Sequence, residues 1–143
     1  MHIQPYLFFD GRCDEAIEFY KANLGARVEM LMRFKDGPPA PAGSGGGGGE
    51  CQPPGNGEKV MHANLRIGDT TILASDGRCT GHPKFEGFAL TINAASEADA
   101  DRVFAALSAG GQVQMPMTKT FFSPRFGMVA DKFGVSWMVI VAQ

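Results

Sequence analysis

The chain has 143 residues, 44% of them hydrophobic and 20% charged, with 13 basic against 15 acidic side chains and a formal net charge of -2. These values exclude global disorder, suit one compact domain or two small modules sharing a core, and offer no electrostatic attraction to nucleic acid or an anionic membrane. No apolar run approaches the roughly 20 residues of a membrane span, no secretory leader is evident, and three scattered cysteines (Cys13, Cys51, Cys79) fit reduced thiols in a cytoplasm better than a disulfide framework or a C-x-x-C zinc knuckle.

His2 to Phe9 reads as a strand, with Pro5 tolerable at an edge. From Cys13 to Leu24 the spacing is helical, with Ala16, Ile17, Tyr20 and Leu24 on one stripe, Asp14 and Glu15 in the first turn, and Gly25 as the stop. Arg27 to Phe34 is a second strand. Asp36 to Gly57 holds paired prolines and the run Gly45 to Gly49, so it reads as a long loop, either a lid or dispensable. Those glycines neither follow a strand nor precede a Lys-Ser/Thr pair, which excludes a phosphate-binding or dinucleotide loop.

Val60 to Ile67 alternates. Met61, Ala63, Leu65 and Ile67 face one way, and His62, Asn64 and Arg66 the other. Gly68-Asp69 turns it into a hairpin with Thr70 to Ser75. A polar connector, 76–84, leads to a strand from Phe85 to Asn93. Ser96 followed by Asp99 has the form of a capping box, and Ala100, Val103, Phe104 and Leu107 supply the helical stripe before Gly110-Gly111. Gln112 to Thr120 and Phe126 to Asp131 are strands. Val135 to Val141 is apolar at nearly every position, as a strand covered on both faces would be.

The order strand, helix, three strands therefore occurs twice. Phe19 aligns with Phe104, Gly25 with Gly110, Val28 with Val113 and Met30 with Met115, an offset of about 85 residues. The expected fold is α+β: two βαβββ modules, 1–75 and 85–143, joined by the linker 76–84 in one compact domain, with helices on the outer faces and a cavity enclosed.

Within that frame His62 is the candidate for acid–base chemistry, on a polar strand face with Asn64 and Arg66. The competing reading is a face that is simply solvated or lies against a dimer partner. Ser75 and Asp76 end the neighbouring strand; Asp76 either orients the His62 ring or is a plain turn residue. Thr120, Phe122 and Met138 either line an apolar pocket or belong to the core. Asp131-Lys132 reads as turn chemistry and surface charge, and Trp137 as core beneath the helix. Arg125 binds an anion or nothing. Cys13, at a helix start, has either a lowered thiol pKa or no special chemistry.

The chain resembles the vicinal-oxygen-chelate superfamily of glyoxalase I, bleomycin-resistance proteins and extradiol dioxygenases. It is most similar to the PhnB-like branch, which carries the name 3-demethylubiquinone-9 3-methyltransferase. The residues that carry the likeness begin with Tyr6-Leu7-Phe8-Phe9, Ala16-x-x-Phe19-Tyr20 and Leu24-Gly25. They continue with His62-Ala63-Asn64-x-Arg66-Ile67, Ser75-Asp76, Gly87-Phe88-x-Leu90, Thr120-Phe121 and Phe126-Gly127-x-Val129-x-Asp131-Lys132-Phe133-Gly134-Val135-x-Trp137-Met138. The resemblance implies the paired-module fold and a homodimer. A methyltransferase using S-adenosylmethionine is not expected, because no glycine-rich turn follows the first strand and no acidic residue stands ready for a ribose.

Metal-dependent relatives place one ligand on each of four strands, and the resemblance puts those positions at Gln4 or Pro5, at Leu73 to Ser75, at Gly87 and at Met138. Glycine has no donor and a thioether suits a hard ion poorly, so no metal or other cofactor is expected. The expectation is a metal-independent binder of a small molecule, hydrogen-bonded by His62 and Asn64, with Gln4, Arg66, Ser75, Asp76, Thr120, Phe122 and Met138 as further ligand-binding candidates. Two alternatives stay open: a glyoxalase- or dioxygenase-type enzyme with a shifted metal set such as Gln4, His62 and Asp76, and a drug-sequestering resistance protein.

Overall fold

Helix α1 (Cys13–Leu24) forms where the sequence stripe predicts it, burying Cys13, Ala16, Ile17 and Tyr20 and closing at Gly25 in a left-handed conformation (φ 65°). Helix α2 (Glu97–Ser108) begins at Ser96, whose side chain accepts the Asp99 amide at 3.1 Å, and buries Ala100, Val103, Phe104 and Leu107. The chain, seen in a computed structural model that describes residues 1–36, 57–77 and 84–142, divides into two compact units, Met1–Pro83 and Lys84–Gln143. The glycine-rich loop, Cys51, Cys79 and most of the expected linker lie outside the described residues.

Each unit is one helix on one four-stranded mixed sheet. In the first, β1 (Tyr6–Phe8), β2 (Arg27–Arg33), β3 (Val60–Ile67) and β4 (Thr70–Ser75) are ordered β1-β4-β3-β2. In the second, β5 (Leu90–Ala94), β6 (Gln112–Thr118), β7 (Phe126–Ala130) and β8 (Ser136–Val141) are ordered β5-β8-β7-β6. The pairs β1–β4 and β5–β8 are parallel and the remainder antiparallel. Two βαβββ modules of one topology are thus present, and the fold is α+β as expected. Both sheets are open, with edge strands. Among the described residues no helix is long and apolar enough to cross a membrane.

Three strands are shorter than their sequence patterns by two residues or more. β1 starts at Tyr6, because Pro5 has no N–H to give and only its carbonyl joins the ladder, accepting Leu73 N at 2.9 Å. β5 starts at Leu90, since Gly87 turns the backbone with φ 79°. β6 stops at Thr118. In β8 the expectation of cover on both faces is met on one: Trp137, Val139 and Val141 are buried, while Ser136, Met138 and Ile140 are half-buried.

Candidate functional site

Strand alternation sends Ala63 and Leu65 into the core and turns His62 and Asn64 to the opposite face of the first sheet. Register then fixes their neighbours. Asn64 stands opposite Met30 on β2 and Leu73 on β4, Leu73 stands opposite Tyr6 on β1, and His62 stands opposite Met32. Tyr6 reaches over β4 so that its Oη lies 3.0 Å from His62 Nδ1, and His62 Nε2 lies 2.7 Å from Asn64 Oδ1. With an amide oxygen at Nε2, that nitrogen carries the ring proton, and Nδ1 accepts from the tyrosine hydroxyl. Tyr6 stacks on Phe8 (4.7 Å between centroids) and tilts against the His62 ring (5.5 Å). Tyr6, Met30 and Met32 keep 37–38% of their surface exposed. The result is an accessible, largely apolar sheet face with one polar chain across it.

The other expected site residues fall elsewhere. Gln4 is exposed ahead of β1. Arg66 is exposed at the hairpin end, with Nε donating to Gly68 O at 3.2 Å and Nη1 lying 3.8 Å from Glu29. Ser75 is buried and its Oγ accepts from Gly77 N at 3.1 Å. Thr120, Phe122 and Met138 belong to the second unit. There Thr120 Oγ1 accepts the Ser123 amide at 3.0 Å, Phe122 meets Phe126 edge-on at 5.1 Å, and Met138 lies in the sheet row of Met128 and Thr91.

Asp76 corrects the sequence reading on both its options. It is neither the carboxylate that orients His62 nor a plain turn residue. Its Oδ1 accepts the amides of Gly11 (2.7 Å) and Cys13 (2.8 Å), and its Oδ2 accepts that of Val60 (2.9 Å), all at 1% exposure. The groups on the His62 ring are Tyr6 and Asn64. Tyr6 was missed as a polar partner because its role depends on the parallel β1–β4 register, which leaves no local mark. Cys13 is likewise no activated thiol: burial pushes its pKa up, and the carboxylates of Asp76 and Asp14 push it further. In the second unit Asp131 is buried rather than surface charge. It accepts from Phe133 N (2.9 Å), Val135 N (3.1 Å) and Trp137 Nε1 (2.9 Å). Trp137 is core as expected. Arg125 holds Asp101 of α2 at 2.8 Å, so it is a structural cation.

The residues do not fit a divalent ion held as in glyoxalase I. Gly87 offers no side chain, Met138 offers a sulfur that accepts weakly from Thr91 Oγ1 at 3.9 Å, and Ser75 is turned into the backbone. The shifted set fares no better, since the Asp76 carboxylate is enclosed by main-chain amides. Among the described residues no three His, Cys, Asp or Glu side chains are grouped to hold a metal ion.

Residues 48–140 match the family described as 3-demethylubiquinone-9 3-methyltransferase. Along the whole chain, Protein YjdN of Escherichia coli is 34% identical over 146 residues, covering 100% of this chain and 97% of its own. Among solved structures, protein PA1353 from Pseudomonas aeruginosa superposes with TM-score 0.79 at 36% identity, covering 100% and 98% of the two chains. A putative 3-demethylubiquinone-9 3-methyltransferase, PhnB protein, from Bacillus cereus gives TM-score 0.78 at 24% identity, covering 99% and 100%. The fold recurs in a glyoxylase/bleomycin resistance protein/dioxygenase domain from Frankia sp. EAN1pec, with TM-score 0.65 at 14% identity over 99% and 95%. Full-length sequence identity and the matched segment agree, and the chain belongs to the family described as 3-demethylubiquinone-9 3-methyltransferase.

Proposed function

We propose that this protein binds a small, partly apolar molecule on the exposed face of its first sheet, without a divalent metal, as a cytoplasmic homodimer. The observation that carries the reading is the chain Tyr6 Oη–His62–Asn64 laid across an accessible face of aromatic and methionine side chains. Sites for small ligands have this composition: broad apolar contact and a few fixed polar groups that set orientation. Asn64 Oδ1 is occupied by the imidazole, so its amide Nδ2 is left to donate to a ligand oxygen. Tyr6 Oη, donating its hydrogen bond to His62, offers lone pairs to a ligand donor.

A thermal-shift screen of aromatic and carbonyl-bearing small molecules tests this. Compounds that raise the melting temperature of the wild-type chain should lose that effect in His62→Ala and in Asn64→Ala, while Arg102→Ala, on the surface of α2, keeps it. A screen in which no compound shifts the wild-type chain, or in which both site variants respond as wild type does, counts against the proposal. Stoichiometric nickel, zinc, manganese or iron in the purified protein would instead favour metal-assisted chemistry.

A further inference from the structure

The second sheet carries a row that small-molecule binding on the first sheet does not use. Met115 on β6, Met128 on β7 and Met138 on β8 are direct cross-strand partners, so their side chains project from the same face of three adjacent strands. Met115 is 40% exposed, and Met128 and Met138 are half-buried. The bulge after Met115 takes Met117 out of the row, and its Sδ lies on the side of Gly127 and Phe104, towards α2. The adjoining row on the helix side, Val113, Val129 and Trp137, has the β-branched and aromatic character that strands favour. Three unbranched thioethers in register are not what pleated packing selects.

A thioether is a soft donor. It coordinates Cu(I)-class ions well and hard divalent ions poorly. Methionine also has three rotatable bonds, so side chains from the two outer strands can lean towards the middle one and bring their sulfurs together. Among the described residues the hydrogen bond that Met138 Sδ accepts is a long one, from Thr91 Oγ1 at 3.9 Å, a contact that a cation readily replaces.

We infer that Met115, Met128 and Met138 form a three-thioether site for a soft monovalent cation, Cu(I) or Ag(I). The ion keeps its oxidation state on binding, and no side chain needs to lose a proton.

The test is a titration of the full chain with Ag(I), read by the methyl resonances of its methionines after 13C labelling. Cys51→Ser and Cys79→Ser remove the competing thiols outside the described residues, and Cys13 stays because it is enclosed. The methyl signals of Met115, Met128 and Met138 should move together and saturate at one Ag(I) per chain. Met128→Leu, a volume-conserving change at a half-buried position, should abolish the saturable movement of the other two while the remaining spectrum stays folded. Movement spread evenly over Met30, Met32 and Met61 as well would overturn the site. So would saturation with the three signals unmoved, or an unchanged response in Met128→Leu.

Discussion

Asp76 draws its amide partners from three parts of the chain, the β1–α1 turn, the first residue of α1 and the start of β3. A buried carboxylate with several amide donors holds a turn and two elements in one position. Its removal leaves those amides facing a low-dielectric interior. Asp76→Ala should therefore cost about 3 kcal/mol or more, read as a lower urea midpoint with little change in slope. A loss within the ordinary surface range of about 0.5 kcal/mol would refute that role. Next to it, Cys13 retains its proton in the fold above the thiol's ordinary pKa of 9.0, first because it is buried and then because Asp76 and Asp14 lie near. The raised folded pKa fixes the sign: below pH 9.0 both states carry the proton and stability is unaffected. Above it the unfolded chain sheds a proton that the folded chain keeps, so stability falls by about 1.4 kcal/mol per pH unit. Urea unfolding between pH 8 and 10.5 should show this extra alkaline slope in the wild-type chain and not in Cys13→Ala. Equal slopes would remove it. Neither role was legible in the sequence. Asp76 reads locally as turn chemistry and Cys13 as a helix-start thiol, because the partners that decide both lie far along the chain. For Asp131 the turn chemistry was legible, since Oδ1 accepts the nearby Phe133 and Val135 amides, but its burial and its tie to Trp137 Nε1 were not.

At the scale of elements the sequence was most informative where signals are self-contained. α1 occupies the residues that its stripe and stop predict, and α2 starts at the predicted cap. β3 and β4 match because period-two alternation and a Gly-Asp turn are local properties. The starts of β1 and β5 fell later than expected, at the local breakers Pro5 and Gly87, while both strands end where their partners β4 and β8 end. The duplication, inferred from four aligned residue pairs, extends to backbone irregularities: the edge strands β2 and β6 each slip register between the aligned positions, Val28/Met30 and Val113/Met115. Such bulges twist an exposed edge and discourage further strand pairing. The seat of α2 on its sheet depends on Gly127. A Cβ there would stand 2.6 Å from Met117 Sδ and 2.8 Å from Phe104 Cε2. The thioether can move, but the buried ring cannot without lifting the helix. Gly127→Ala should consequently cost about 1–3 kcal/mol, as overpacking does. Gly127→Ala with Phe104→Leu should lose less than the two single changes summed. Additive losses would show that the helix does not rest on this contact.

For the molecule as a whole, each unit has the size at which a single core supplies only about 3–5 kcal/mol, and each leaves large apolar side chains exposed. On the first these include Val28, Met30 and Met32; on the second, Val113, Met115 and Phe121, the last at 93%. Monomeric soluble chains seldom leave so much apolar surface uncovered unless it serves binding. The ligand face proposed above accounts for Met30 and Met32, and the thioether site for Met115. Val28, Val113 and Phe121 have no such role and call for a partner surface. A second copy is the partner that the homodimer proposal supplies. Closed two-fold association is also the commonest way for a soluble chain to cover a patch. Sedimentation equilibrium should then return about twice the 15.3 kDa chain mass at micromolar concentration. The melting temperature should fall on dilution, because dissociation draws the folded dimer towards unfolded chains. A particle of single-chain mass at every concentration, with a melting temperature indifferent to dilution, would mean that the exposed apolar side chains stay in water. The homodimer would then have to be abandoned, while the ligand face on the first sheet would remain open to its own test.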